Sequence, residues 1–95
     1  TSPDIIPQDD GTFIIDGSAA VRTINKNLNW KLPTDGPKTL NGLITETLES
    51  IPETNVCLVI HGHRAEVLQI KDNVVKAAIV HPMPRKKSFI RKRAT

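Results

Sequence analysis

The sequence predicts an α+β domain in which two helices pack on a mainly antiparallel sheet, in the order β-(β)-α-α-β-β-β. Three observations support this fold class. A helical pattern with clear ends lies between residues 39 and 51, and three apolar runs joined by short turns follow it between residues 56 and 80. A hairpin pattern and a second helical stripe precede it. Strands joined by short turns form an antiparallel meander, and the helices must then cover one face of the sheet.

The first part of the chain predicts a hairpin, a helix and a loop. Residues 5–8 and 12–15 are extended runs around an Asp-Asp-Gly turn, and Pro7 restricts the first run to an edge of the sheet. We expect Asp16 or Ser18 to cap a helix over residues 18–28, with an apolar stripe formed by Ala20, Val21, Ile24 and Leu28. Residues 29–38 contain two prolines and a glycine, so they predict a loop whose Trp30 and Leu32 lie over the core.

The second helical pattern is the longest in the chain and feeds into its most apolar strand. Its stripe consists of Leu40, Leu43, Ile44, Leu48 and Ile51. We expect the Thr39 hydroxyl to cap the first turn, Asn41 to face water with the glutamates, and Pro52 to stop the helix. Asn55 supplies a residue that tolerates a positive φ before the next strand begins.

The last part of the chain predicts three strands. They cover residues 56–60, 64–70 and 74–80, with turns at 61–63 and 72–73. The alternation in residues 64–70 is too irregular to assign the buried face of that strand.

Charge divides the chain into a globular part, residues 1–84, and a basic tail, residues 85–95. The tail holds six of the thirteen basic residues, so residues 1–84 carry seven basic and ten acidic groups, a net charge of 7 − 10 = −3. An acidic globular part does not support nucleic-acid binding. For the tail, a solvated terminus and contact with anionic lipid remain alternatives; the lipid contact would use Arg85, Lys86, Lys87, Arg91, Lys92 and Arg93.

The sequence also bears on the context of the chain. A lone cysteine, Cys57, excludes an internal disulfide, and no apolar run approaches the length of a membrane span. The chain begins Thr-Ser-Pro-Asp without an initiator methionine, and we expect it to be a piece of a longer protein.

Four residues raise the question of a metal site: Cys57, His61, His63 and His81. A zinc site needs three or four converging ligands, whereas Cys57 sits among apolar residues and we expect it to be a small buried hydrophobe. Asp9, Asp10 and Asp16 lack the alternating spacing of a calcium loop, and turn or cap roles explain them. We therefore expect no bound metal. The sequence also lacks a recognisable arrangement of catalytic residues, so we expect no enzyme activity.

Several short motifs occur together in a fixed order: Asp10 to Ser18 (DGTFIIDGS), Leu32-Pro33, Thr39-Leu40-x-Gly42-Leu43-Ile44, Ile51-Pro52 and Gly62-x-x-x-Glu66-Val67-Leu68. Together they resemble the CorC/HlyC transporter-associated domain over roughly residues 5–82. Asn55 stands where that family often has glycine, and Ala65 lies near a position that is often aromatic.

The resemblance implies a non-catalytic regulatory domain at the cytoplasmic face of the bacterial inner membrane. Such domains follow a membrane segment and a pair of CBS domains in proteins described as magnesium and cobalt efflux proteins or hemolysins. The implied partners are the CBS pair and membrane domain of the same parent chain, and a second copy is a further possible partner. The family fold is similar to a small FAD-binding (PCMH-like) subdomain, so a flavin or another adenine nucleotide is the alternative ligand by fold resemblance only.

Overall fold

The computed structural model describes residues 3–84, and within them the strands form one antiparallel sheet with the order β1-β2-β5-β4-β3. The elements are β1 (Ile5–Pro7), β2 (Phe13–Asp16), α1 (Val21–Leu28), α2 (Leu40–Leu48), β3 (Cys57–Ile60), β4 (His63–Lys71) and β5 (Val74–Val80). This arrangement confirms the α+β fold class and the predicted order of elements. β1 and β3 are the edges, so Pro7 lies on an edge strand, as expected.

Helix α1 begins later than predicted and is not capped by Asp16 or Ser18. Its N-cap is Ala20, which makes no side-chain capping bond. The Asp16 carboxylate instead accepts hydrogen bonds from the backbone N–H and the hydroxyl of Ser18, which closes a turn at the end of β2. Because that turn uses both candidate caps, the helix starts only at Val21. Val21 and Ile24 are buried as expected, whereas Ala20 is exposed.

Helix α2 confirms its predicted start but ends early. Thr39 accepts a hydrogen bond from the N–H of Gly42 at 3.2 Å, which is the expected cap. The helix ends at Leu48 because Glu49 adopts a left-handed conformation with φ of 56°. The chain therefore leaves the helix before Pro52, and Ile51, assigned to the apolar stripe, is 66% exposed.

The meander follows the prediction with small shifts at its turns. The first turn is His61-Gly62, both with positive φ, and His63 already belongs to β4. Asp72 and Asn73 form the second turn, also with positive φ. Asn55 has a φ of 66°, in agreement with its expected role.

The core lies between the helices and one face of the sheet. Register places Ile5, Ile15, Ala78 and Val67 in one row across the strands, and all four are buried. His63, Ala65 and Val67 face the core, which settles the buried face of β4. Leu43 is 2% exposed and Leu48 is half-buried.

Candidate interaction surface

The sheet face opposite the core carries apolar side chains that remain accessible. Register aligns Ile6, Ile14, Ile79, Glu66 and Cys57 in one row across all five strands, and Val59 pairs with Arg64 beside it. We call these seven residues the open face. Ile6 is 54% exposed and Val59 is 58% exposed, while Ile14 and Ile79 are half-buried. Ile6, Ile14 and Ile79 are neighbours in this row, and Glu66 separates them from Cys57. An accessible apolar patch bordered by polar residues is typical of a protein contact surface.

A shallow groove lies at the β3 end of the open face. It has a volume of about 170 Å³, and the side chains around it include Cys57, Val59, Arg64, Glu66 and His81. Pockets for small organic ligands usually have volumes of roughly 300–1,000 Å³. The groove is therefore better suited to receive a side chain of another protein than a cofactor.

The structure separates the residues considered for a metal site. Cys57 is exposed on the open face, so the expectation that it is buried was wrong. The reason is its strand parity, because Cys57 pairs with Glu66 on the solvent side while Leu58 pairs with Ala65 toward the core. His61 is exposed in a turn, and His63 points to the other face of the sheet. Residues 3–84 contain no group of three or more His, Cys, Asp or Glu side chains that could hold a metal ion.

His63 has a structural environment. Its side chain is 2% exposed, and its Nδ1 lies 2.8 Å from the carbonyl oxygen of His81. The ring centroid of Trp30 is 4.2 Å from that of His63, and Phe13 packs edge-on to Trp30 at 5.6 Å. This cluster attaches the loop after α1 to the sheet, as predicted for Trp30. Leu32 is buried as well.

The candidate acidic residues also have turn roles and do not converge. Asp10 accepts hydrogen bonds from the Thr12 hydroxyl at 2.6 Å and the Thr12 N–H at 3.0 Å, and these bonds lower the pKa of Asp10. The bonds from the Ser18 N–H and hydroxyl likewise lower the pKa of Asp16. Asp9 and Asp10 precede β2 and Asp16 ends it, so the two sites lie at opposite ends of that strand.

A polar groove lies at the start of α2, and it contains Asn41, which we expected to face water. The groove has a volume of about 310 Å³ and is lined by Asp16, Gly17, Ser18, Thr39, Asn41, Val74, Val75 and Lys76. Asn41 is half-buried, and its side-chain oxygen accepts a hydrogen bond from the N–H of Val75 at 2.8 Å. Gly17 lies directly against β5, because a Cβ there would overlap the carbonyl oxygen of Val75. Helical periodicity alone gives no signal for such a contact. The basic residues of the tail, 85–95, lie outside the described residues.

Comparison with known proteins identifies a relative that is described as an inner membrane protein. The chain is 44% identical over 80 residues to the UPF0053 inner membrane protein YfjD of Escherichia coli K12. This match covers 84% of the chain but only 19% of that relative. The chain thus spans about a fifth of the length of that longer protein.

Solved structures share the fold. A functionally unknown conserved protein from Haemophilus influenzae Rd KW20 is 44% identical with a TM-score of 0.80, over 83% of this chain and 98% of that one. The transporter associated domain from a CBS domain protein of Porphyromonas gingivalis has a TM-score of 0.76 at 19% identity, over 85% of this chain and 99% of that one. The associated region of a putative Mg²⁺ and Co²⁺ transporter (CorC) from Neisseria meningitidis MC58 has a TM-score of 0.76 at 15% identity, over 84% and 99%. At such low identity, the similarity to the P. gingivalis and N. meningitidis structures shows a shared fold and nothing more.

The family model described as the transporter associated domain, CorC_HlyC, matches residues 6–84. That match covers all seven described strands and helices except the first residue of β1. The chain belongs to the CorC_HlyC transporter-associated domain family.

Proposed function

We propose that the chain is a non-catalytic accessory domain of a membrane-bound ion transporter of the magnesium and cobalt efflux type. In this proposal the open face contacts another part of the same parent protein, namely the CBS-domain pair that precedes the domain. The observation that carries the proposal is the accessible apolar row of the open face on a domain whose relative YfjD is about five times longer. Contacts between domains of one chain are usually partly polar, and the open face combines apolar side chains with Glu66 and Arg64.

The context of the relatives supports a place beside the membrane. YfjD is described as an inner membrane protein, and the P. gingivalis neighbour is described as a CBS domain protein. Among residues 3–84, no helix is long and apolar enough to cross a bilayer. We infer that the domain is attached to a membrane segment elsewhere in its parent and works on the cytoplasmic side.

The absence of catalysis and of a bound cofactor is part of the proposal. The acidic side chains at residues 10 and 16 are occupied by turn hydrogen bonds, and His63 is buried against Trp30. Ligand pockets usually have volumes of roughly 300–1,000 Å³. The groove of about 170 Å³ is smaller than this range, and the groove of about 310 Å³ is at its lower end. The alternative, a flavin or adenine-nucleotide domain, predicts visible flavin absorbance after purification or after incubation with FAD and gel filtration. We expect none.

Ion transport by the parent protein tests the contact. Ile79 lies in the centre of the open-face row, and Ile79→Thr keeps its β-branched shape while adding a hydroxyl. Ile51→Thr is the matched control, because Ile51 is 66% exposed in the loop after α2. We expect Ile79→Thr to change magnesium or cobalt efflux at equal membrane abundance, and Ile51→Thr to leave it unchanged. Equal efflux by wild type and both variants would reject the role of the open face.

A further inference from the structure

The edge of the sheet at β3 has backbone groups that no described strand uses. Ile60 and His63 flank the two-residue turn, and the N–H of Val67 donates to the carbonyl of Val56 at 2.9 Å. Because hydrogen-bonded pairs alternate along an antiparallel ladder, the even-numbered residues of β3 bond to β4. Cys57 and Val59 therefore direct their N–H and C=O groups outward from the sheet.

The sequence of this edge lacks two of the usual devices against strand pairing, a charged residue and a proline. Residues 56–60 are Val-Cys-Leu-Val-Ile, without a charge or a proline. Sheet edges are normally protected by charges, prolines, bulges or covering segments, because a free edge is a template for another strand.

The opposite edge, β1, is protected. It has three residues and includes Pro7, which has no N–H to donate. The Gln8 side-chain amide donates to the carbonyl oxygen of Pro7 at 3.3 Å, so this outward group is already engaged. Pro7 thus removes one outward donor from β1, whereas Cys57 and Val59 both keep theirs on β3, so β3 is the better suited of the two edges to pair.

We propose that a second copy of this chain pairs antiparallel with β3 about a two-fold axis at Leu58. In this register Cys57 of one copy lies opposite Val59 of the other, and both present outward backbone groups. The pair of Cys57 with Val59 of the second copy and its symmetry mate together form four hydrogen bonds. Leu58 lies opposite Leu58 of the second copy, on the face of the sheet that carries the core. The result is a continuous ten-stranded sheet. If the two β3 strands were shifted along each other, at least one of these two hydrogen-bonded pairs would be lost.

Charge supports a second copy as the occupant. Within the open face, Cys57 is next to Glu66 and Val59 is next to Arg64. In the dimer, Glu66 and Cys57 of one copy therefore lie in one row with Val59 and Arg64 of the second copy, and the two-fold axis creates a second such row. Each row has an acid at one end and a base at the other, with apolar side chains between them. The separation spans three strand spacings, roughly 14 Å, so this attraction favours the antiparallel orientation more than it adds affinity.

The interface is small, so we expect a weak dimer that depends on concentration. This inference does not require the proposed transport role, because it concerns the chain alone. Sedimentation velocity on the full 95-residue chain, under reducing conditions and over a wide concentration range, measures it directly. Wild type should shift from monomer to dimer as concentration rises.

Two lysine substitutions identify the edge. Val59→Lys places a charge on β3, and Ile6→Lys places the same charge at a similarly exposed residue on β1. We expect Val59→Lys to remain monomeric and Ile6→Lys to dimerise like wild type, with circular dichroism confirming that both are folded. A monomeric wild type, or loss of the dimer in Ile6→Lys but not in Val59→Lys, would overturn the proposal.

A disulfide test fixes the register. In a Cys57→Ser background, Leu58→Cys places a new thiol opposite its own counterpart across the axis, where Cα atoms of a non-hydrogen-bonded pair are about 4.5 Å apart, within disulfide range. Mild oxidation should give a covalent dimer on a non-reducing gel. The control, Val59→Cys with Cys57→Ser, should give much less, since its thiols lie on opposite sides of the axis. Equal cross-linking in both variants would contradict the register, and cross-linking in neither would contradict the pairing.

Discussion

The side-chain oxygen of Asn41 accepts a hydrogen bond from the backbone N–H of Val75 at 2.8 Å, which joins α2 to the sheet strand β5. The N–H of Asn41 in turn donates to the carbonyl of Gly17 at 2.8 Å. One residue at the start of α2 therefore connects the helix to two separate segments. These two bonds attach the start of α2 to β5 and to the turn after β2.

Replacing Asn41 should destabilise the domain. In Asn41→Leu the side chain keeps a similar size, but the N–H of Val75 loses its acceptor in a partly buried site. An unsatisfied buried donor costs about 1–3 kcal/mol. The urea midpoint measures this loss. Asn27→Leu, at an exposed residue of α1, is the control and should change the midpoint little; a midpoint for Asn41→Leu equal to wild type would show that the bond is dispensable.

Leu43 is a core residue of α2, and truncating its side chain should lower the free energy of unfolding more than Asn41→Leu does. Leu43 is 2% exposed, and deleting a buried leucine side chain removes about 2–5 kcal/mol of stability. Urea unfolding of Leu43→Ala should therefore show a much lower midpoint than wild type. Glu46→Ala, on the exposed side of the same helix, controls for helix propensity. Similar midpoints for the two variants would mean that the stripe does not pack as described.

The turn at Asp16 predicts a specific dependence of stability on pH. Hydrogen bonds from Ser18 hold the pKa of Asp16 below its ordinary value of 3.8, so folding favours the ionised carboxylate. This contribution is complete well above pH 3.8 and is lost as the pH falls through the lowered pKa of the folded state. Asp16→Asn should be slightly less stable than wild type at neutral pH, and the difference should shrink at low pH.

The control for that experiment is Asp35→Asn, which removes an exposed carboxylate and changes the net charge equally. Thermal unfolding from pH 2.5 to pH 7 compares the three proteins. A stability difference between wild type and Asp16→Asn that stays constant over this range would contradict the assigned role.

The basic tail supports a prediction about membranes. Removing residues 85–95 deletes six basic groups and changes the net charge from +3 to 3 − 6 = −3. Each Lys or Arg near an anionic surface contributes about 1 kcal/mol, an effect that salt screens. The full chain should bind phosphatidylglycerol vesicles at low salt and weakly at physiological salt, and the truncated chain should not bind.

Phosphatidylcholine vesicles, which carry no net charge, are the control and should bind neither protein. Binding that survives the truncation would instead assign the lipid contact to residues 1–84. A tail that is only a solvated terminus would give no vesicle binding at any salt concentration.

Local patterns predicted most of the fold because apolar periodicity and turn residues act over short distances. The Thr39 cap, the positive φ of Asn55 and the three strands of the meander depend on neighbours in sequence. Two errors were local, because the Asp16–Ser18 turn replaced the predicted cap of α1 and the left-handed Glu49 ended α2 early. A third arose where a distant contact decides the outcome. Asn41 faces water by helical periodicity, yet its partner Val75 is 34 residues away.

The candidate surface was harder to predict for a related reason. Cys57 lies in an almost continuous apolar run, and such a run does not reveal which strand face is buried. The strand pairing assigns Cys57 to the open face, because Cys57 pairs with Glu66 and Glu66 pairs with Ile79. The edge position of β3 depends on the order of strands in the sheet, which the linear sequence does not state.

Thiol labelling measures most directly whether the open face contacts the rest of the parent protein. In a Cys57→Ser background, Ile6→Cys reports on the open face far from the β3 edge, and Ile51→Cys reports on the loop after α2. Both residues are more than half exposed in this chain, at 54% and 66%, so both variants of the isolated domain should react rapidly with a maleimide. In the full-length parent in membranes, we expect Ile6→Cys to be protected while Ile51→Cys still reacts. Equal and rapid labelling of both positions in the parent would contradict the central claim that the open face is a docking surface.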